Sequence, residues 1–124
     1  HNYKTIVATS SQRYRVNRIL QLAKLNQYFD DSICGDEVTK GKPDPEVFLV
    51  AASKLELTPE NCLVVEDAKA GIDAAKAGGM KSLGVGPFHE KLGADFHSRT
   101  LATVDNWEEI LCWEYIQKPI TKTL

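Results

Sequence analysis

No run of apolar residues in this chain approaches the ~18 that a bilayer-spanning helix needs, and no basic stretch leads into an apolar one as in a secretory leader. Membrane spanning and export are therefore not expected. Cysteine is scarce, with only Cys34, Cys62 and Cys112. An odd number at wide spacing argues against a disulfide framework, and without a C-x-x-C pair or a histidine cluster there is no sequence pattern for zinc. These residues read as three reduced, mostly buried thiols in a cytoplasmic protein. Neither sign of charge dominates: 15 Lys and Arg face 17 Asp and Glu, for a formal net charge of -2. That balance gives no support for nucleic-acid or membrane partners. Gly84-Val85-Gly86 supplies a G-x-G, but no third glycine opens a helix after it, so the dinucleotide fingerprint is incomplete. There is no internal repeat.

What is present is a chain of 124 residues, enough for one small domain with a real core. It opens on His1-Asn2-Tyr3-Lys4 and runs at once into an apolar stretch, which reads as an entry partway into a domain. The expected division is a core over residues 1–117 and a polar tail over 118–124 that frays.

Thr5-Ile6-Val7-Ala8 reads as a buried strand. Thr9-Ser10-Ser11 is suited to capping the helix that follows, in which Val16, Ile19, Leu20 and Ala23 form one apolar face. Ser32-Ile33-Cys34 is a weaker strand. Asp44 and Pro45 suit the cap and first position of a second helix, with Phe48, Ala51, Ala52 and Leu55 on its core face. Cys62-Leu63-Val64-Val65 is the clearest buried strand. A helix over Ala68 to Ala77 ends at Gly78-Gly79, and Lys81 to Val85 is a further strand. Asp105 to Ile116 reads as a terminal helix capped by Asp105, with Glu108 three residues on. Strands alternating with helices predict an α/β domain: a Rossmann-like parallel sheet flanked by helices. Trp107, Trp113 and Phe88 read as packing residues.

Ligands of open α/β sheets bind beyond the carboxyl ends of the strands. That rule selects Thr9, Ser10, Asp36, Glu66, Asp67 and Gly86, together with Lys42 at a helix entry. Adjacent carboxylates such as Glu66 and Asp67 are oxygen ligands for a hard cation like Mg²⁺. Hydroxyls and amides at Thr9 and Ser10 suit phosphate oxygens, and a lysine such as Lys42 neutralises a transferring phosphoryl group. Each piece alone has a plainer reading. Thr9-Ser10 is also a helix cap, Lys42 a solvated loop lysine, and Glu66-Asp67 an acidic pair favouring a helix start. The three together, in one order, point to a phosphate site beside a metal.

That order resembles the haloacid dehalogenase (HAD) superfamily: a small hydroxyl residue, then a lysine before Pro-x-Pro, then an acidic pair closing an apolar strand. Gly35-Asp36-Glu37-Val38 through Gly41-Lys42-Pro43-Asp44-Pro45-Glu46-Val47-Phe48, and Val65-Glu66-Asp67-Ala68-Lys69-Ala70-Gly71-Ile72-Asp73-Ala74-Ala75, resemble its β-phosphoglucomutase-like subfamily. The likeness runs from Ile6 to Gly86. It implies a Mg²⁺-dependent mutase or phosphatase acting on a small sugar phosphate through an aspartyl phosphate. It also implies that Thr9, Ser10 and Lys42 bind the phosphoryl group, with Lys42 and Thr9 in the catalytic set, and that Glu66 and Asp67 hold Mg²⁺.

The family's nucleophile lies in an Asp-x-Asp at the end of a first strand, and no Asp-x-Asp occurs here. The helical cap that selects substrate is missing as well. By the same resemblance the absent strand belongs between Thr5–Ala8 and Cys62–Val65. The expectation is that another chain, another segment, or direct pairing of those two strands closes the gap, and that this chain alone is inactive. A receiver-type signalling domain is disfavoured, because its acids precede its lysine. A non-catalytic interaction module that keeps the HAD core is the alternative.

Overall fold

A computed structural model describes residues 3–105, 110 and 121–123. The strands are β1 (Lys4–Ala8), β2 (Asp31–Ile33), β3 (Cys62–Glu66), β4 (Lys81–Gly84), β5 (Phe96–His97) and β6 (Thr121–Thr123). The helices are α1 (Arg13–Leu22), α2 (Glu46–Lys54) and α3 (Lys69–Ala77). The strands form one sheet in the order β2-β1-β6-β3-β4-β5, parallel throughout. The expected α/β class with a parallel sheet is what the chain adopts.

Period-two alternation along β3 explains why it lies inside. Cys62 and Val64 face a cluster containing Ile6, Ile33, Phe48, Ala51, Ala52, Ala74 and Ala75. Leu63 and Val65 face the other side, with Leu83, Val104 and Ile110. A strand covered on both faces needs a continuous apolar run, and Cys62 to Val65 supplies one. Small alanines on α2 and α3 let both helices approach the sheet closely. Phe48, fully buried, is the largest side chain of that layer. Cys34 and Cys62 are buried, whereas Cys112 lies outside the described residues. No helix among the described residues is long and apolar enough to cross a membrane.

Several expectations need correction. The tail does not fray throughout, because residues 121–123 form β6, inserted between β1 and β3. Its register sets Lys4, Thr5 and Ile6 against Thr121, Lys122 and Thr123 on one side. On the other side Cys62, Leu63 and Val64 face the same three residues. The gap is thus closed by this chain itself, and β1 and β3 do not pair directly. Unpaired amides and carbonyls on two facing strand edges carry a desolvation cost that any extended segment relieves, whatever its side chains. Only the apolar part of the prediction for α1 fails: Val16 is buried, but Ile19 is 59% exposed. Among the described residues α1 meets chiefly the short turn at Gly35–Glu37 rather than a sheet face. Phe88 is 66% exposed and is no core residue. Its loop reverses over the end of the sheet, where the backbone bonds and not the ring hold it. The helix expected over Asp105–Ile116, with Trp107 and Trp113, lies outside the described residues except for Asp105 and Ile110.

Candidate active site

The carboxyl ends of β1 and β3 and the entry to α2 meet at one rim. A pocket of about 90 Å³ is lined by Thr9, Ser10, Gly35, Val38, Gly41, Lys42 and Val47. It has room for several waters or one small anion. Thr9 follows β1, and its N–H donates to the Ile33 carbonyl at 3.1 Å. What Thr9 offers a ligand is therefore its hydroxyl. That oxygen accepts from Ser11 N at 3.2 Å, which leaves the hydroxyl proton free to point elsewhere. Neither Thr9 nor Ser10 caps α1 by side chain; the cap position is Gln12.

Lys42 comes from the loop before α2. Asp44 accepts from Glu46 N at 2.9 Å, and Pro45 occupies the cap position, so the helix begins slightly later than the pattern suggested. The Lys42 ammonium donates to Glu66 Oε2 at 2.8 Å, and the two side chains are only 14% and 10% exposed. It also lies 4.9 Å from the centre of the Phe48 ring, a cation–π contact. One of its three protons is used by Glu66, and the others remain available toward the pocket. Glu66 ends β3. Its Oε1 accepts from Asp67 N at 3.1 Å and from Ala68 N at 3.3 Å, the amides that begin the turn into α3. Asp67, exposed beside it, has no hydrogen-bond partner for its carboxylate among the described residues.

The structure therefore brings Thr9, Ser10 and Lys42 to one pocket and joins Lys42 to Glu66, with Asp67 next in chain. Asp36 and Gly86, also strand-end candidates, serve the scaffold. Asp36 Oδ1 accepts from Arg13 N at 3.1 Å, and Gly86 N donates to Arg99 O at 2.8 Å.

Four residues to which the motif reading gave no role shape the structure around the pocket. Arg13 reaches across from α1 and donates to the Ser32 hydroxyl and carbonyl and, at 2.5 Å, to Glu37. Glu37 in turn accepts from Cys34 N at 2.9 Å. Gly35 lies so close to the Thr9–Ser11 loop that a Cβ there would stand 2.1 Å from the Ser10 carbonyl oxygen. Gly71, inside α3, leaves the volume that the Glu66 side chain fills: a Cβ there would stand 2.0 Å from Glu66 Oε2. Gly71 did carry a signal. A glycine within an alanine-rich helix costs about 1 kcal/mol relative to Ala, which suggests a close approach.

Gly35→Ala forces backbone against backbone. It is expected to cost about 1–3 kcal/mol, as overpacking does, and to weaken phosphate binding by displacing Ser10. Denaturant midpoints and phosphate titration together check this; an unchanged midpoint would show that the loop yields freely.

Burial raises the Glu37 carboxyl pKa, but the hydrogen bonds from Arg13 and from the Cys34 amide outweigh it, and the net shift is downward. A lowered folded value stabilises above the unfolded pKa of about 4.3 and loses that contribution as pH falls through the folded value. Glu37→Gln is thus expected to be less stable than the parent at pH 7, by no more than about 1 kcal/mol because the pair is a third exposed. The gap should close in acid below the folded pKa. Urea midpoints against pH measure it; a gap that persists unchanged in strong acid contradicts the assignment. The Cys34 thiol is pushed up chiefly by burial, against the pull of Arg13, and is a poor nucleophile.

Residues 1–85 match the family model described as haloacid dehalogenase-like hydrolase. The chain belongs to that family. This HAD chain is 37% identical over 123 residues to the β-phosphoglucomutase of Bacillus subtilis (strain 168), covering 99% of itself and 53% of that protein. It is 42% identical over 81 residues to a phosphorylated carbohydrates phosphatase of Thermotoga maritima, covering 64% of itself and 37% of the relative. The crystal structure of β-phosphoglucomutase from Clostridium difficile superposes with a TM-score of 0.78 at 28% identity, over 93% of this chain and 51% of that one. The HAD chain therefore spans about half the length of the β-phosphoglucomutases it matches.

Glu66 and Asp67 fit a hard divalent cation. Glu66, bonded to the pocket-lining Lys42, has unused lone pairs, the exposed Asp67 carboxylate follows it in the chain, and no third His, Cys, Asp or Glu joins them among the described residues. Mg²⁺ is ordinarily held in this way, by one or two carboxylates with water and substrate phosphate supplying the rest.

Proposed function

We propose that this chain forms the phosphate- and metal-binding side of a Mg²⁺-dependent phosphoryl-transfer enzyme acting on a small sugar phosphate, as a β-phosphoglucomutase-like mutase or a phosphatase, in a cytoplasmic setting. The observation that carries the reading is the position of Lys42, whose ammonium is bonded to Glu66 and lines the same pocket as Thr9 and Ser10. In this reading Thr9 and Ser10 donate to phosphoryl oxygens. The two remaining N–H donors of Lys42 offset the charge that develops on the equatorial oxygens. Glu66 and Asp67 hold Mg²⁺, which when bound screens the phosphate from the incoming carboxylate. The names of the relatives support sugar phosphates as the substrate class.

The attacking aspartate comes, by family resemblance, from a strand outside this sequence. Its oxygen forms the new bond to phosphorus as the bond to the sugar oxygen breaks. Water or a sugar hydroxyl then takes the phosphoryl group. We further propose that this strand enters the sheet where β6 now lies. β6 is three residues long and reads Thr-Lys-Thr, while a central parallel strand ordinarily reads as an apolar run. Its pairing stops at Ile6 and Val64, short of the strand ends that carry the site. Such a strand could be supplied by a further segment or by another chain.

Melting the chain with inorganic phosphate and with Mg²⁺, separately and together, tests the reading. Binding to the native state at ten times Kd adds about 1.4 kcal/mol. Phosphate stabilisation should vanish in Thr9→Ala and fall in Lys42→Met, and Mg²⁺ stabilisation should fall in Asp67→Asn. Equal phosphate response in all variants would sink the site assignment. A single-turnover assay should trap no aspartyl phosphate on this chain alone, and trapping one would overturn the missing-nucleophile reading.

A further inference from the structure

The sequence has three histidines, spaced so that none suggests a cluster. The fold brings two of them together. His97 lies on β5, where Gly84 pairs with it, and His89 begins the short turn His89–Lys91 on the loop leaving β4. The loop ends are tied to each other: Ser98 N donates to Gly84 O at 2.9 Å, Gly86 N to Arg99 O at 2.8 Å, and His89 N to Gly86 O at 3.2 Å. The two imidazoles are thereby brought together, with centroids 5.0 Å apart and planes inclined by 30°. Their Nδ1 atoms are 2.8 Å apart, linked by one hydrogen bond. His89 is half-buried and His97 exposed, so the pair is open to solvent on one side.

We propose that His89 and His97 form a two-imidazole site for a late first-row divalent cation, Cu²⁺ foremost. Neutral imidazole is a preferred ligand of these ions, and affinity at a given nitrogen site rises to a maximum at Cu²⁺. In the hydrogen-bonded pair the two Nδ1 atoms point at each other, so chelation requires the rings to turn about their side-chain bonds until both Nδ1 lone pairs converge on one ion. The proton now shared between the two Nδ1 atoms moves to the Nε2 of the ring that carries it, so that both Nδ1 lone pairs face the ion while both rings stay neutral. Water completes the coordination, since no third His, Cys, Asp or Glu forms a group with them among the described residues. The site is independent of the oxygen donors at Glu66 and Asp67, which suit a hard ion.

Calorimetric titration of the whole chain with Cu²⁺ tests this, because His1 provides the competing explanation. One Cu²⁺ should bind per chain. His89→Asn and His97→Asn should each weaken it by roughly tenfold or more, as loss of one of two strong ligands does, while His1→Ala leaves the affinity nearly unchanged and excess Mg²⁺ does not compete. The electron paramagnetic resonance spectrum of Cu²⁺ bound to the His1→Ala chain should show coupling to two imidazole nitrogens. That spectrum decides the matter even if a His89 or His97 variant folds poorly. Binding that disappears with His1→Ala, that is indifferent to His89 and His97, or that shows oxygen ligands alone overturns the proposal.

Discussion

Lys42→Met is expected to destabilise the chain by about 3 kcal/mol, the lower end of the range for stranding one partner of a buried ion pair. Glu66 is 10% exposed, so its carboxylate loses an ammonium without gaining much water. The estimate stays at the low end because the amides of Asp67 and Ala68 continue to hold Oε1. For a domain of this size that corresponds to a fall in Tm of about 10 °C. A control separates the pair from the packing. In Lys42→Met with Glu66→Leu no charge is left behind, and replacing both partners by apolar groups is often close to neutral. The double variant should therefore be more stable than Lys42→Met alone, although it has lost both polar groups. Chemical denaturation of the four proteins in the cycle measures the coupling. Additive losses would mean that the contact at 2.8 Å contributes little in solution. Phosphate stabilisation should fall in both variants, since neither retains the cation.

Phe48→Ala should cost about 3–5 kcal/mol, as large-to-small changes at fully buried aromatics do. That is a substantial share of the 5–15 kcal/mol that a typical domain has in total. Phe48 joins α2 to β1, β2 and β3 through the main cluster, and the alanines around it are too small to close the space it would leave. The ring also lies under the Lys42 ammonium. Phe48→Leu, which keeps most of the volume, separates these roles. It should recover the larger part of the stability but not the cation–π contact, which is worth about 0.5–2 kcal/mol depending on exposure. Phosphate binding should then be weaker in Phe48→Leu than its stability alone explains. If both substitutions lower stability equally and leave anion binding in proportion to the folded fraction, the ring does no more than fill space.

The two predictions share a cause that shows how far the sequence could be read. The helix-opening loop Gly41-Lys42-Pro43-Asp44-Pro45 and the strand end Glu66-Asp67 are local patterns, and their rim positions follow from the rule that parallel strands present their carboxyl ends on one side. The apolar run at Cys62–Val65 is also local, and it marks a buried strand without coordinates. The direct bond between Lys42 and Glu66 is not local. It depends on the loop before α2 meeting the end of β3 across 24 residues of chain, and on Gly71 leaving room for the carboxylate. Arg13 escaped notice because its long-range acceptors lie on β2 and the turn after it, and nothing in a helix-start arginine names them. The α1 face misled for the opposite reason. Its apolar spacing is real, but a stripe is buried only where another element covers it.

The sequence by itself determined the class of fold, the order of its strands and helices from β1 to β4, the family, and which side chains stand at the strand ends, because each rests on short-range periodicity and on motifs a few residues long. Only the tertiary structure decided that residues 121–123 close the sheet between β1 and β3, that Gly35 and Gly71 are spacers for Ser10 and Glu66, and that His89 meets His97. Each of those is a contact between segments remote in sequence or joined by a reversing loop. Such contacts are selected by which backbone groups and cavities remain unfilled once the rest of the chain has packed.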